Sequence, residues 1–274
     1  MKDDIRPNDD STLFVCSGMQ NLKPKFQEKT GERISTVQSC IRTNDIDLWG
    51  DGTHLCFFRM LGCFSFGNPG DYQKTCKSWL DIVEELGLEL TSVHVHPDSN
   101  HRSIFEELEG SFEIIDNAEC VWTDGNIGGY CSEFFVGDVE IGNLVNPMGD
   151  SVDVGFGLER ICKLLGEEYE PTHDLVQFLE HCWKYNIGPG QKGQSYVVRK
   201  VLRLWLRQPS SVPERVLFKD WGISEKQRLD NSMRQGYMML RRHHDKPDSW
   251  WWNSVGLLPE DVKILKERKL QKTK

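Results

Sequence analysis

The residues with the most legible chemistry lie in "SVDVGFGLERICKLL", Ser151 to Leu165: a short β-like run, a Gly-x-Gly turn at Gly155 and Gly157, then a helical pattern. Two glycines let a backbone approach a ligand closely, and a helix N-terminus attracts anions, so a phosphate is a natural guest there. The dinucleotide fingerprint would place a third glycine at position 160; this chain has Arg160. A guanidinium on the first helical turn instead projects a permanent fork of donors into whatever faces it. A second candidate is "HVHPDSNH", where His94 and His96 alternate onto one face of a strand. No Cys or carboxylate cluster completes it locally, and no metal is expected.

A further group is basic. Residues 181–274 hold 20 Lys+Arg against 9 Asp+Glu, a balance of +11, while the rest holds 13 against 33, giving −20 and the net −9. A basic block beside an acidic body suits a polyanion such as RNA, and it equally suits a solvated helical surface. Within it, Arg199, Lys200, Arg203 and Arg207 in "SYVVRKVLRLWLRQ" include three arginines four residues apart, one face of a helix.

These groups need elements to hold them. Strand-like runs are "STLFVCSG", "HLCFFRMLG", "SVHVHP", "DVEIGNLVN" and "SVDVGFG"; helical periodicity appears in Tyr72 to Leu86, "LERICKLLG", "DLVQFLEHCWKY" and the basic segment. Strands cluster before Gly157 and do not alternate regularly with helices. The fold class expected is α+β: an antiparallel or mixed sheet flanked by helices, then a basic helical appendage. Domains are expected at 1–170 and 171–274, with the boundary in "GEEYEPTHD" or in the Gly/Pro-rich "NIGPGQKGQ" that follows Tyr185. No apolar run approaches the roughly 20 residues of a membrane helix, "MKDDIRPNDD" has no secretory core, and nine cysteines without a close pair fit free thiols. A cytoplasmic protein is expected.

The words "STLFVCSGMQNLKPKF", "SCIRTNDIDLWGDGTHLCFFRMLGCFSFG", "DGNIGGYCSEFF", "VEIGNLVN" and "SVDVGFGLERI" occur in the order, and close to the wording, of one family. The chain resembles the catalytic core of alanyl-tRNA synthetase, a class II aminoacyl-tRNA synthetase, over roughly residues 11 to 165. That resemblance implies an antiparallel sheet binding bent ATP with Mg²⁺ as cofactors, and attack of an amino-acid carboxylate on the α-phosphorus. Such chemistry needs positioning and charge cancellation. By the resemblance, Arg42 and Arg160 are the catalytic arginines, and Arg42, Asp45, His54, Phe57, Arg59, Gly157 and Arg160 bind ATP. Trp122, Asn143, Val145, Asp153 and Gly155 bind the amino acid, Asp153 pairing with its ammonium; Trp122 and Val145 also read as plain core. The segment after "GQKGQ" resembles the family's tRNA-binding helix, which implies RNA contacts at Arg199, Lys200, Arg203 and Arg207. Trp250 to Trp252 could stack on a base or pack a core.

The chain departs from the family in having Arg59 where Glu is common and in lacking a Gly-Gly-Lys-His insertion after Thr43. No counterpart of the editing or C-terminal domains is expected. Partners expected are alanine or a similarly small amino acid and tRNA. Two other readings stand beside that one: transfer of the adenylate to a carrier protein or small amine, and a silent RNA-binding paralogue.

Overall fold

The computed structural model describes residues 4–51, 54–108 and 110–271. It resolves into two compact units, the first ending at Glu170 and the second beginning at Pro171.

The first unit is organised on strands β1 (Arg33–Cys40), β2 (Phe58–Ser65), β3 (Ser92–Val95), β4 (Glu113–Asp116), β5 (Val121–Asp124), β6 (Ile127–Val136), β7 (Val139–Val145) and β8 (Val152–Gly157). Their spatial order is β1-β2-β8-β7-β6-β3-β4, with β5 added to β6. β3 and β4 run parallel and every other pair is antiparallel, so the class is α+β with a mixed, largely antiparallel sheet. Short helices α1 (Lys23–Glu28), α3 (His101–Glu106) and α4 (Leu158–Leu164) and the longer α2 (Asp71–Glu85) accompany it.

Period-2 alternation divides β8 between two environments. Val152, Val154 and Phe156 join Tyr72, Cys76, Trp79 and Val83 of α2 in one core. The indole of Trp79 stacks on Phe156, centroids 4.1 Å apart. Asp153, Gly155 and Gly157 therefore point away from α2, and their cross-strand partners follow: Asp153 lies opposite Val145, Gly155 opposite Asn143, and Gly157 opposite Met60. The pattern that buries one face thus gathers the polar and glycine positions on the other. Beneath the first face, the Tyr72 hydroxyl meets His101 Nδ1 at 3.1 Å, Ser132 Oγ at 2.9 Å and the Leu144 carbonyl at 3.0 Å. Burial pushes the His101 imidazole down to about 4, so it is neutral in this network.

The segment "STLFVCSG" is not a strand. Its polar groups satisfy one another locally: Thr12 Oγ1 donates to the Phe14 carbonyl, and the Gln20 side chain accepts from the Cys16 amide and donates to Thr12. These side-chain bonds compete with a ladder. The Val15 amide donates to the Ile5 carbonyl, and the segment meets the sheet region where the Ile41 amide, just past β1, donates to the Val15 carbonyl and where the Gly18 amide lies 3.2 Å from Met60 Sδ of β2.

The second unit contains α5 (His173–Lys184), α6 (Gly193–Leu206), α7 (Lys219–His243), α8 (Asp248–Val255) and α9 (Pro259–Gln271). α5 buries Leu175, Phe178, Leu179 and Cys182 at helical spacing, and α6 buries Val197, Val198, Val201, Leu202 and Trp205. Leu240, Trp251, Val255, Leu257, Val262 and Leu265 form a second core. No described helix is long and apolar enough to cross a membrane.

Candidate adenylate-forming site

An open pocket lies on the sheet face that α2 leaves uncovered. Arg42, Asp45, His54, Leu55, Phe58 and Met60 line it from the β1–β2 side, and Glu140, Asn143, Gly155, Gly157, Glu159 and Arg160 from the β7–β8–α4 side. Arg42 lies two residues past the end of β1, with its guanidinium over the ring of Phe58, 5.0 Å from the centroid. Asp45 begins a 3-10 turn whose first amide donates to the Arg42 carbonyl at 3.1 Å. His54 is held by Asp51, its amide 2.9 Å from Oδ1 and Nδ1 2.5 Å from Oδ2.

The expected Gly-x-Gly turn is instead the end of strand β8, because both glycines pair across the sheet, and its junction with α4 is fastened on both sides. Glu159 is buried and reaches back to β2, accepting from the Arg59 amide at 2.7 Å and from Arg59 Nε at 2.9 Å. Arg160 reaches the other way, donating to the Glu140 carbonyl at 2.8 Å with the Glu140 carboxylate 3.5 Å away. Consecutive side chains of one turn thus bind opposite neighbours. That arrangement holds Arg160 at the pocket wall before any ligand arrives, which is the preorganisation that makes a donor effective against developing charge.

The amino-acid residues share this face but not one exposure. Asn143 and Gly155 line the pocket. A Cβ on Gly155 would stand 3.1 Å from Met60 Sδ and 3.5 Å from Asn143 Oδ1, so the Met60 thioether lies over the glycine. Val145 is buried, and Trp122 packs against it together with Cys120 and Cys131. Asp153 is 7% exposed, and burial alone pushes its carboxyl up to about 7. No described side chain donates a hydrogen bond to it, which leaves a buried carboxyl whose charged form is expensive until a cation arrives.

Three expectations fail in this geometry. Phe57 is buried and away from the pocket; its neighbour Phe58 faces it. Arg59 does not line the pocket either. Phe58 and Met60 take the pocket-facing positions of β2, so Arg59 between them has the opposite parity and spends its charge on Glu159. Sequence reasoning missed Phe58, Met60, Glu140 and Glu159; the alternation in "FFRMLG" is the signal that identifies the first two.

The third failure concerns the basic helix. Arg203 is 2% exposed. Its guanidinium is enclosed by Glu225 (Nε–Oε1 2.7 Å), Asp261 (Nη1–Oδ2 2.9 Å) and the Gly256 carbonyl (2.7 Å). Arg207 donates to Asp261, Arg199 lies 3.4 Å from Glu225 and over Trp252, and Lys200 Nζ is 3.7 Å from Glu260. The arginines share a face, as their spacing requires, but it faces α7 and α9. Burial of Glu225 and Asp261 demands counter-charge, and α6 supplies it. Trp251 is fully buried and Trp250 packs edge-on against it, so these tryptophans pack a core.

Among known proteins, the family described as tRNA synthetases class II (A) matches residues 4–137. Those residues of the chain are thus similar to a class II tRNA synthetase domain. Over 73% of its length it is 29% identical to the alanine–tRNA ligase of Desulfitobacterium hafniense, covering 32% of that protein. Over 58% of its length it is 31% identical to the chloroplastic/mitochondrial alanine–tRNA ligase of Sorghum bicolor, covering 21% of it. A stretch of 114 residues is 40% identical to the alanine–tRNA ligase of Thermoanaerobacter sp., 12% of that protein. The chain thus spans a third or less of the curated relatives it matches.

Proposed function

We propose that this chain activates alanine with ATP and passes the alanyl group to tRNA, as a ligase of the alanine–tRNA type working in the cytoplasm. The observation that carries the proposal is the convergence of Arg42 and Arg160 on one pocket that also contains Asn143 and Gly155, with Asp153 on the same sheet face. In the first step an alanine carboxylate oxygen attacks the α-phosphorus and pyrophosphate leaves. In the second a terminal ribose hydroxyl of tRNA attacks the acyl carbon, and AMP leaves with the bonding electron pair.

Arg42 and Arg160 cancel charge on the phosphoryl oxygens, and Phe58 offers a ring beside the nucleotide. Asp45, Glu140 and Glu159 bring hard carboxylate oxygens of the kind Mg²⁺ takes; Glu140 also holds Arg160, and Glu159 holds Arg59. Mg²⁺, when bound with ATP, neutralises phosphate charge. Alanine enters by displacing the Met60 thioether from Gly155, sets its ammonium on Asp153, and turns its methyl toward Val145 and Trp122. A wall of this kind rejects bulk by shape.

The names of the relatives support tRNA as acceptor over a carrier protein or a small amine. The internal engagement of Arg199, Lys200, Arg203 and Arg207 supports a structural role for α6 over an RNA face. The test of acceptor is alanylation of tRNA by the wild type and by Arg160→Ala. Charging that the wild type performs and Arg160→Ala loses supports the reading; pyrophosphate exchange without charging of any tRNA refutes the tRNA step alone.

A further inference from the structure

The hairpin that carries Trp122 bears a second group of reactive side chains, unused by adenylate formation. Cys120 immediately precedes β5, and Cys131 and Glu133 stand two residues apart on β6, hence on one sheet face. Antiparallel pairing sets Val121 opposite Tyr130, and the Cys131 amide donates to the Cys120 carbonyl at 2.9 Å, which places the two cysteines across from each other. Both sulfurs and a Glu133 carboxylate oxygen lie within 4.8 Å of one another. The cysteines are buried and Glu133 is half-buried.

The surroundings favour a cation. Val145 and Trp122 wall the cysteines. The charged neighbours of Glu133 are two more carboxylates, Glu140 and Glu119. His94 stands opposite Glu133 on β3, but its ring stacks on Phe135 at 4.2 Å and is not counted as a ligand. In a tetrahedral zinc site with Zn–S of about 2.3 Å, ligand sulfurs stand about 3.8 Å apart, so a small closure of these side chains suffices.

We propose that Cys120, Cys131 and Glu133 form a site for one zinc-type divalent cation, with solvent as the fourth ligand. Binding converts two thiols to thiolates, releases two protons to solvent, and leaves the ion, two thiolates and one carboxylate with a net charge of −1. Thiolate ligands select Zn²⁺ or Co²⁺ over Mg²⁺, so the site is distinct in chemistry from the ion that accompanies ATP. Cys131 and Glu133 pair across strands with Val145 and Asn143. The cation therefore fixes the β5–β6 hairpin, and Trp122 with it, against the strand that lines the pocket. That consequence rests on the pocket reading above; cation binding itself does not.

The test titrates the full chain, reduced and stripped of metal, with Co²⁺, followed by Zn²⁺ or excess Mg²⁺. The expected result is one equivalent of Co²⁺ with a thiolate-to-cobalt charge-transfer band, abolished by Zn²⁺ and indifferent to Mg²⁺. Cys120→Ser and Cys131→Ser should lose the band, Glu133→Gln should weaken binding at least tenfold, and Cys182→Ser, in the second unit, should keep it. Circular dichroism checks each variant; if the cysteine variants do not fold, Glu133→Gln decides. The proposal is overturned if wild type shows no thiolate band, if the band survives in the double cysteine variant, if a mass lower by two hydrogens shows Cys120 and Cys131 joined as a disulfide under reducing conditions, or if Glu133→Gln binds like wild type.

Discussion

Asp153 makes the amino-acid step sensitive to pH in a window where ordinary carboxylates do not titrate. Its carboxyl is buried without a donor and sits at about 7 in the free chain, against the ordinary carboxyl value of 3.8. Only the ionised form pairs with an ammonium, and alanine keeps its ammonium throughout this range. With a value of 7, the ionised fraction is about 0.9 at pH 8 and about 0.09 at pH 6, so alanine affinity should fall roughly tenfold between them. Below pH 7 binding should also release close to one proton, because the new cation lowers the carboxyl again. The assay is the KM for alanine in ATP–pyrophosphate exchange at pH 6, 7 and 8, with calorimetry in two buffers of different protonation enthalpy to count protons. Asp153→Asn should bind weakly at every pH and show no proton release. The same variant should be more stable than wild type at pH 8, by up to the order of 4 kcal/mol, because it removes a buried unpaired charge. An alanine KM that is flat from pH 6 to 8 in the wild type would refute the assignment of Asp153 to the ammonium.

Arg42→Ala and Arg160→Ala should each lower exchange at least about 100-fold, a loss of roughly 2.7 kcal/mol of transition-state stabilisation. Melting temperatures should stay near wild type, since both side chains meet the pocket; a matching collapse of stability would make them structural. Arg203→Ala should cost about 3–5 kcal/mol in chemical denaturation, because Glu225 and Asp261 would be left buried and uncompensated. An unchanged midpoint would show that the network adds nothing. His101, held down to about 4 against 6.5, binds fewer protons folded than unfolded between those values, so its contribution is complete above pH 6.5 and is lost as pH falls toward 4, about 3 kcal/mol in all. Asp153 has the opposite sign from pH 7 to 4, its burial penalty fading as it protonates. Asp153→Asn should therefore unmask a decline in stability from pH 6.5 to 4 that wild type largely conceals; equal pH profiles would contradict the pair.

Much of the pocket was legible because its residues sit in strands of plain alternation or beside glycines. "SVDVGFG" and "DVEIGNLVN" announce their own inward and outward positions, and β8 and β7 fall where those words stand. Phe57 and Arg59 were misplaced because the start of a strand fixes parity, and β2 begins only at Phe58. β1 (Arg33–Cys40) went unread because "RISTVQSC" is polar along an edge strand, with few of the apolar residues that signal burial. The error on α6 has a different source. Spacing correctly put Arg199, Arg203 and Arg207 on one side of a helix, but a sequence does not say that two acids, twenty to sixty residues later, are buried against that side. The Cys120, Cys131 and Glu133 cluster was hidden for the same reason: the cysteines stand eleven positions apart in the chain, and only the β5–β6 register brings them together.

The most direct test of the central claim is exchange of labelled pyrophosphate into ATP by the purified wild-type chain, with alanine, leucine or phenylalanine as the only amino acid. Exchange should require alanine, stay at background with leucine and phenylalanine, and disappear in Arg160→Ala. Exchange that proceeds equally with the bulky amino acids, or persists in Arg160→Ala, would contradict that claim.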